Sequence, residues 1–401
     1  MSALAQSGGL MIERERPSVV VNDLVALRRR SGVGFYVSEL LEALEGEGSV
    51  DVIPLSRTLA GRPLRWATKL AAESKRAKPA SQPSSFRLPR LKLSALKSAG
   101  ARWADQYIAL AARLFGWRLF HEPDHCPVEL AVPIVTTVHD LSVVLHPEWH
   151  PAHRIRKYEE KFARGVERSR CILTPSEAIR QEVVATFGVA PERVVVTPEA
   201  PRSRFRPVDP ARAADARRRH GLPQRFVLFV GTIEPRKNVN ALLDAYAMLS
   251  PDLRSRHPLV IVGGWGWKSD AIRERLTQSP WSECVKRLGY VSEGDLHLLL
   301  NAATVLAYPS LYEGFGLPPI EAMACGTPVV TTHAGGLRDS VGDAAAIVDP
   351  HDPKALAVAL TRVLTDEQYA DDLRWRGFLR AASFSWRETA RLTAQAYRNA
   401  A

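Results

Sequence analysis

The sequence predicts an α/β protein built from two doubly wound domains that face each other across a cleft. Short β-branched runs alternate with longer amphipathic stretches, as in βαβ units around a parallel sheet. The alternation occurs on both sides of a proline- and arginine-rich stretch, Pro201–Pro223, which is interpreted as a linker. A length of 401 residues suits two or three domains. Ligands of such sheets bind at the carboxyl ends of the strands, so we expect the site in the cleft.

In the first half, the pattern predicts a glycine turn at residues 31–34, a helix over Phe35–Leu44 and a later helix over Arg154–Val166. Ser176 precedes an apolar helical face and suits the N-cap position. The predicted strands of this half are Ser18–Val21, Pro133–Val138, Cys171–Thr174 and Val194–Thr197.

The second half repeats the alternation with six predicted strands. These are Phe226–Val230, Leu259–Val262, Val285–Leu288, Val305–Tyr308, Val329–Thr331 and Ala346–Val348, with helices near Asn238–Leu249, Asp270–Leu276, Gly294–Asn301 and Pro319–Ala324. We therefore predict an N-terminal domain over residues 1–205, a C-terminal domain over 206–382 and a final helix over 383–401 that packs back on the N-terminal domain.

Composition excludes several classes of protein. With 46% hydrophobic and 24% charged residues, the chain is neither wholly disordered nor fibrous. No apolar run reaches the roughly 18 residues of a membrane span, and the acidic start is a poor signal peptide. The four cysteines are far apart and lack a Cys-x-x-Cys pair, which indicates reduced thiols in a cytoplasmic protein.

The first candidate loop, Gly231–Asn238, follows a predicted strand. Arg236 and Lys237 are adjacent cations, and Asn238 is placed to cap the next helix. Fixed N–H groups and positive charge at a helix N-terminus suit a diphosphate. A solvated turn is the alternative reading of this loop taken alone.

The second candidate loop runs from Tyr308 to Glu321. Its glycines, at 314 and 316, let the backbone approach a ligand closely, and its two prolines suit the first turn of a helix. Glu313 in the loop and Glu321 on the helix are placed to hold two sets of hydroxyls, as on a sugar and a ribose.

The third candidate is the His139–Asp140 pair at the end of a predicted strand. His139 would donate to a hydroxyl or to developing charge, and Asp140 would fix its tautomer if the two side chains meet. Adjacent strand residues point to opposite faces, so a direct contact does not follow from the sequence.

Together these loops resemble the family 4 retaining glycosyltransferases of the GT-B fold, which have two Rossmann-like domains facing across a cleft. The resemblance spans almost the whole chain in the family's order. It rests on SGVGFYVSEL, TVHD at 137–140, TPSEAIRQEV at 174–183, VGTIEPRKN at 230–238 and EGFGLPPIEAMACGTPVV at 313–330. The last is the family's signature of Glu, seven residues, Glu.

The resemblance implies a role for each motif residue. Arg236 and Lys237 would neutralise the leaving diphosphate of a nucleotide-sugar, and His139 would contact the donor sugar. Glu313 would hold the sugar hydroxyls, and Glu321 the ribose. Backbone N–H groups at Phe315, Gly316 and Leu317 would help Glu313 hold the sugar. Gly34 would let the N-terminal loop close over phosphate and acceptor, and Gly231 is a further donor-binding position.

The chain departs from the family's pattern at one position. Many relatives have Arg after the glycine of the phosphate loop, where this chain has Thr232, so Arg236 and Lys237 would carry more of the diphosphate charge. No Asp-x-Asp motif was found, which fits a metal-independent enzyme without a cofactor. Similar chains with this loop often use GDP-mannose, which is therefore the favoured donor. The expected acceptor is a cell-surface glycan linked to a polyprenyl carrier.

The net charge of +11 is carried by one segment, residues 57–102, which has twelve basic residues and a single acid. Interleaved Trp66, Phe86 and Trp103 are typical of a segment that docks on an anionic membrane surface. Such docking would place the enzyme on the inner face of the plasma membrane. A soluble loop whose charge aids solubility is the alternative.

Three other functions are rivals. A nucleotide-sugar 2-epimerase has the same architecture, although the paired glutamates with EPRKN favour transfer. A nucleic-acid-binding protein lacks a supporting motif, so no nucleic-acid partner is expected. A dinucleotide dehydrogenase is disfavoured because SGVGFY lacks the third glycine of its fingerprint.

Overall fold

The computed structural model describes residues 16–27, 32–76, 103–124, 129–278 and 281–401. Within them, two parallel sheets of six strands each confirm the predicted pair of doubly wound α/β domains. No helix in these ranges is long and apolar enough to cross a membrane. Most of the segment predicted to dock on a membrane, residues 77–102, lies outside the described ranges.

The first sheet has the order β2-β1-β3-β4-β5-β6, with every pair parallel. Its strands are β1 (Ser18–Val21), β2 (Asp51–Pro54), β3 (Leu119–Glu122), β4 (Ile134–Thr137), β5 (Cys171–Thr174) and β6 (Val194–Val196). The helices are α1 (Gly32–Glu47), α2 (Gly61–Arg76), α3 (residues 103–114), α4 (Ser142–Leu145), α5 (Ala152–Arg168) and α6 (Glu177–Phe187).

The second sheet has the order β12-β11-β10-β7-β8-β9, again all parallel. Its strands are β7 (Val227–Val230), β8 (Leu259–Val262), β9 (Val285–Gly289), β10 (Val305–Tyr308), β11 (Val329–Thr331) and β12 (Ala346–Ile347). The helices are α7 (Pro210–Arg219), α8 (Val239–Met248), α9 (Pro251–Arg256), α10 (Asp270–Thr277), α11 (Trp281–Cys284), α12 (Glu293–Ala302), α13 (Leu317–Ala324), α14 (Leu337–Val341), α15 (Pro353–Thr365), α16 (Glu367–Ala382) and α17 (Trp386–Ala400).

Three local expectations need correction. Strands β2 and β3 were not predicted, because Asp51–Pro54 is a short edge strand and the buried Leu119–Glu122 carries a His and a Glu. The stretch interpreted as a linker contains α7, which Asp209 caps through the Ala211 N–H. The glycine turn at residues 31–34 is, from Gly32 onward, the first turn of α1.

Helix α17 packs against α1 of the N-terminal domain. Its inner face is mostly small, with Ala390, Ala394 and Ala400 buried, and the fully buried Tyr397 among them. These residues share one apolar cluster with strand residues of the first sheet. Because small side chains let the helices approach closely, the end of the chain completes the core of the first domain.

Candidate functional site

The carboxyl ends of β7 and β10 bring the two cations of the first loop against Glu313. Arg236 Nη1 donates to Glu313 Oε2 at 2.7 Å and to the Tyr312 carbonyl at 3.0 Å. Lys237 Nζ donates to the other carboxylate oxygen, Glu313 Oε1. The first and second candidate loops of the sequence analysis therefore meet in one buried charge cluster.

The electrostatics of this cluster follow from burial and pairing. Burial alone would raise the pKa of Glu313, but Arg236 and Lys237 hold that pKa below its ordinary value. Burial and the nearby Arg236 lower the pKa of Lys237, while Glu313 opposes the shift. Arg236 Nη2 also donates to the buried Glu234 Oε1 at 3.2 Å, so carboxylates already balance the two cations around the site that a ligand would enter.

Tyr308 is a member of this cluster that the sequence did not assign to the site. Lys237 Nζ donates to the Tyr308 hydroxyl at 2.7 Å, and that hydroxyl donates to Glu313 Oε1 at 2.9 Å. Burial raises the pKa of Tyr308 well above its ordinary value, so the phenol stays protonated. Tyr308 is the last residue of β10 and directly precedes the loop that carries Glu313. That position in the sequence could have identified it as a site residue.

Asn238 does not cap α8 as expected. Its backbone is left-handed, with φ of 54°, and its side-chain amide donates instead to the carbonyls of Pro309 and Pro350, at 3.1 and 2.8 Å. The side chain thereby fastens the phosphate loop to the glutamate loop.

His139 lies at the carboxyl end of β4, and its acidic partner is Glu199 after β6. His139 Nδ1 is 3.1 Å from Glu199 Oε1, and Nε2 is 3.0 Å from the carbonyl of Pro123. Burial would lower the pKa of His139, but the hydrogen bond and charge of Glu199 raise it above its ordinary value. Both ring nitrogens face acceptors, so the geometry favours the doubly protonated ring.

Asp140, the expected partner of His139, has a different place. Its carboxylate accepts from the N–H and hydroxyl of Ser142, at 2.9 and 2.7 Å, and lies 3.8 Å from Arg236 Nη1. Asp140 thus caps α4 and faces the cation cluster. Sequence reasoning missed Glu199 because it falls just before the stretch interpreted as a linker.

The remaining donor-loop positions lie around the start of α13. Gly316 has a left-handed φ of 94° and stands at the N-cap, with Leu317 as the first helical residue. The first N–H groups of a helix have no partner within it and are available to a ligand. Phe315 is buried edge-on against Phe384, with ring centroids 5.3 Å apart.

Two of the predicted glycines lie at the edges of the cleft. Gly34 is buried in the first turn of α1, where its carbonyl accepts from the Ser38 hydroxyl at 3.0 Å. Gly231 directly follows β7, and its N–H donates to the carbonyl of Val262 on β8 at 2.9 Å. Lys237 Cδ would be 3.8 Å from a Cβ at Gly231, so this glycine adjoins the cation cluster.

Glu321 lies on α13, buried and held by Arg202. Arg202 Nε donates to Glu321 Oε1 at 2.6 Å, and Nη2 donates to Oε2 at 3.0 Å. Burial raises the pKa of Glu321, and the guanidinium opposes that shift. The predicted ribose-binding carboxylate therefore has a cationic partner that sequence reasoning did not find.

The two domains touch directly around these loops. The Ser176 hydroxyl, which also accepts from the Ile179 N–H as the predicted N-cap, lies 2.8 Å from the Gly314 carbonyl. The Leu141 N–H donates to the Tyr312 hydroxyl at 3.1 Å, and the Ala178 N–H donates to Asp339 Oδ2 at 2.9 Å. The segments that carry His139 and Glu313 therefore adjoin where the two domains touch.

Comparison with known families identifies the class. The model described as glycosyl transferases group 1 matches residues 213–379, and the model for glycosyltransferase family 4 matches residues 30–200. Each match covers one of the two domains. The chain belongs to the family 4 glycosyltransferases and has their GT-B fold, as the sequence motifs indicated.

Curated relatives agree with this class. The O-antigen chain mannosyltransferase B of Escherichia coli is 36% identical over 72% of this chain and 76% of its own length. A serotype-specific mannosyltransferase of Escherichia coli is 32% identical over 66% of this chain, which spans only 33% of that longer protein. A D-inositol 3-phosphate glycosyltransferase of a Nocardioides species is 35% identical over 67% of this chain and 62% of its own.

Solved structures share the fold across the whole length. A sucrose-phosphate synthase of Thermosynechococcus elongatus superposes with a TM-score of 0.68 at 24% identity, covering 96% of this chain and 98% of that one. Anabaena HepE, crystallised with UDP and glucose, superposes with a TM-score of 0.66 at 19% identity, covering 96% and 100%.

Proposed function

We propose that this glycosyltransferase is a retaining, metal-independent mannosyltransferase that uses GDP-mannose to extend a cell-surface glycan. The observation that carries the proposal is the pairing of Glu313 with Arg236 and Lys237 between the two glycosyltransferase loops. The names of the Escherichia coli relatives support mannose as the sugar. A structure of Anabaena HepE in complex with UDP-glucose supports a nucleotide-linked sugar as the donor.

The cation cluster supplies the charge stabilisation that transfer needs. As the bond from the sugar to the diphosphate breaks, negative charge grows on the leaving oxygen and the sugar becomes oxocarbenium-like. Arg236 and Lys237 would stabilise the diphosphate where many enzymes of other folds use a divalent metal ion. Glu313, held by the same cations, would accept hydrogen bonds from the sugar hydroxyls beside it.

Retention follows if the acceptor attacks from the face that the diphosphate leaves. In that reaction the acceptor oxygen bonds to the anomeric carbon, the bond to the diphosphate breaks, and the acceptor proton passes to the diphosphate. His139 would contact the sugar as a cation or donor, because both its ring nitrogens face acceptors and neither is placed as a base.

A donor screen tests the proposal. Purified enzyme is incubated with GDP-, UDP- and dTDP-sugars, and release of each nucleoside diphosphate is measured with and without a mannan acceptor. GDP-mannose should give the fastest release, and a product with an α-linkage, seen by NMR, would show retention. Fastest release from UDP- or dTDP-sugars would contradict the donor, and free mannose epimers without transfer would favour the 2-epimerase.

The same activity assay with a chelator tests whether the enzyme works without a metal ion. Activity should be unchanged by EDTA and by added Mg²⁺ or Mn²⁺, because the two cations of the phosphate loop carry the charge. A loss on chelation that Mn²⁺ restores would contradict this part of the proposal.

The acceptor and the location are part of the proposal. We expect a polyprenyl-linked glycan as acceptor, presented at the inner face of the plasma membrane, where the cytoplasmic enzyme docks. Helix α2 supports docking, since Trp66 is 68% exposed beside the exposed cations Arg62, Arg65 and Lys69. Helix α3 and its end add further exposed apolar side chains, namely Trp103, Leu110, Leu114 and Phe115.

Vesicle flotation tests the docking. Wild type should float with vesicles containing anionic lipid and not with neutral ones, since cations near an anionic surface each contribute about 1 kcal/mol. The combined variant Arg62→Gln, Arg65→Gln, Lys69→Gln should lose most of this binding. Trp375→Ala, which removes an aromatic side chain 64% exposed on the C-terminal domain, is the control. Equal flotation by all three proteins would contradict docking through α2.

A further inference from the structure

Arg202 lies between β6 and α7, where the chain passes from one domain to the other, and it is only 4% exposed. Its guanidinium uses two nitrogens, Nε and Nη2, for the two oxygens of Glu321. A bidentate pair of this kind fixes the plane of the carboxylate as well as its position. Glu321 therefore has one orientation set by a residue outside α13.

Two aromatic rings hold the guanidinium in place. Phe35, on the first turn of α1, lies 4.0 Å from the Arg202 guanidinium carbon, and Phe205 lies 4.3 Å from it. Stacking on aromatic faces suits the planar guanidinium and not a lysine ammonium. Through Phe35, the carboxylate of the C-terminal domain is connected to the N-terminal domain.

The third guanidinium nitrogen, Nη1, faces a second carboxylate of the C-terminal domain. Among the residues that the structure describes, Nη1 has no hydrogen-bond partner, and it lies 3.8 Å from Glu293 Oε2 on α12. Arg204 lies 3.3 Å from the same oxygen and is half exposed. Arg202 thus lies between two carboxylates of the C-terminal domain, paired directly with the buried Glu321 and lying farther from Glu293 than Arg204 does.

We propose that Arg202 is a positioning residue that orients Glu321 toward the ribose hydroxyls of the donor and so sets selectivity for a ribonucleotide. The inference rests on the proposed function, in which Glu321 binds the ribose. A carboxylate has about four lone-pair sites on its two oxygens. The guanidinium takes one on each oxygen, which leaves acceptor capacity for hydroxyl donors.

This arrangement predicts a particular kind of selectivity. A ligand without ribose hydroxyls leaves the buried Glu321 with unused acceptors, which is costly for a charged group. A carboxylate that is free to turn loses this discrimination, because it no longer meets the hydroxyls in a fixed geometry. Arg202 should therefore affect binding of a ribonucleotide much more than binding of its dideoxy analogue.

The test compares GDP with 2′,3′-dideoxy-GDP by isothermal titration calorimetry. Wild type should prefer GDP by about tenfold or more, the value of a hydrogen bond to a charged group. Arg202→Lys keeps the charge but not the bidentate geometry, and should weaken GDP binding about tenfold while changing the analogue less than about threefold. Arg204→Lys, next to it on the same carboxylate of Glu293, is the matched control and should keep the wild-type preference.

A second variant separates a loss of positioning from a loss of folding. Phe35→Leu removes one stacking face and leaves the guanidinium itself intact, so a partial loss of the preference is expected with thermal unfolding near that of wild type. If Arg202→Lys and Phe35→Leu both keep the wild-type preference for GDP, the proposed role of Arg202 is wrong, but the proposed ribose site is not affected. Equal binding of GDP and its analogue by wild type overturns the proposed ribose site. Binding of neither ligand by wild type overturns the proposed donor. The inference about Arg202 fails in both cases.

Discussion

The carbonyl oxygen of His139 occupies the place that a side chain at position 314 would need. A Cβ at Gly314 would lie 1.7 Å from that oxygen and 3.3 Å from Asp140 Cβ. The contact joins the carboxyl end of β4 in one domain to the glutamate loop of the other. The absence of a side chain at Gly314 therefore permits the close approach of the two domains at this point.

Gly314→Ala should reduce turnover by about 10²-fold, because the two walls of the cleft must separate by an ångström or more to admit the methyl group. The measurement is kcat with saturating donor, together with thermal unfolding. Gly294→Ala on α12 is the control, since its Cβ would meet nothing closer than Ser292 Oγ at 3.9 Å. Wild-type turnover in Gly314→Ala would show that the contact is not part of the active arrangement.

Glu313→Gln should lower kcat by about 10²–10³-fold, as removal of a well-placed charged group from a buried site does. The amide keeps the shape of the side chain, but it no longer neutralises Arg236 and Lys237. Turnover is measured under saturating donor, with circular dichroism as the check on folding. Glu388→Gln, at an exposed ion pair on α17, should be silent. A folded Glu313→Gln with near-normal turnover would contradict the assigned role.

Much of this arrangement could be predicted from the sequence. Strands such as β7, β8 and β10 are continuous apolar runs, so their place in a buried parallel sheet is evident from composition. The loops after β7 and β10 combine glycine with charge, which identifies them as candidates. Ligands of parallel sheets bind at the carboxyl ends of the strands, so the meeting of these two loops could also be predicted.

The partners of the motif residues could not be predicted, because they come from distant parts of the chain. Glu199 is 60 residues from His139, and Arg202 is 119 residues from Glu321. Neither lies in a recognisable motif, and the stretch that begins at Pro201 looks like a linker by composition. Only in the folded protein does the segment between β6 and α7 bring these charges to the site.

Glu199→Gln should make the stability of the protein less dependent on pH. Glu199 raises the pKa of His139 in the folded state, so the stabilisation is fully present below about pH 6.5, the ordinary value for histidine, and is lost as the pH rises through the folded-state pKa. The difference in Tm between wild type and variant should therefore be largest near pH 6 and should shrink as the pH rises through the folded-state pKa of His139.

Two measurements check this prediction. The Tm is followed across pH for wild type, Glu199→Gln and the control Glu192→Gln, whose carboxylate is exposed. The pKa of the His139 ring, followed by NMR, should fall in Glu199→Gln and stay unchanged in the control. A Tm difference that grows with pH would mean that the sign of the coupling is wrong.

Tyr397→Phe should destabilise the junction between α17 and the first sheet by about 1–3 kcal/mol, because it leaves a buried histidine nitrogen without its partner. The Tyr397 hydroxyl lies 2.6 Å from His121 Nδ1, and His121 Nε2 lies 2.7 Å from Thr137 Oγ1. Burial lowers the pKa of His121 to about 3, so the ring stays neutral and cannot regain stability by charging. Urea unfolding measures the change, with the exposed Tyr290→Phe as control. An unchanged midpoint in Tyr397→Phe would show that this hydrogen bond does not stabilise the junction.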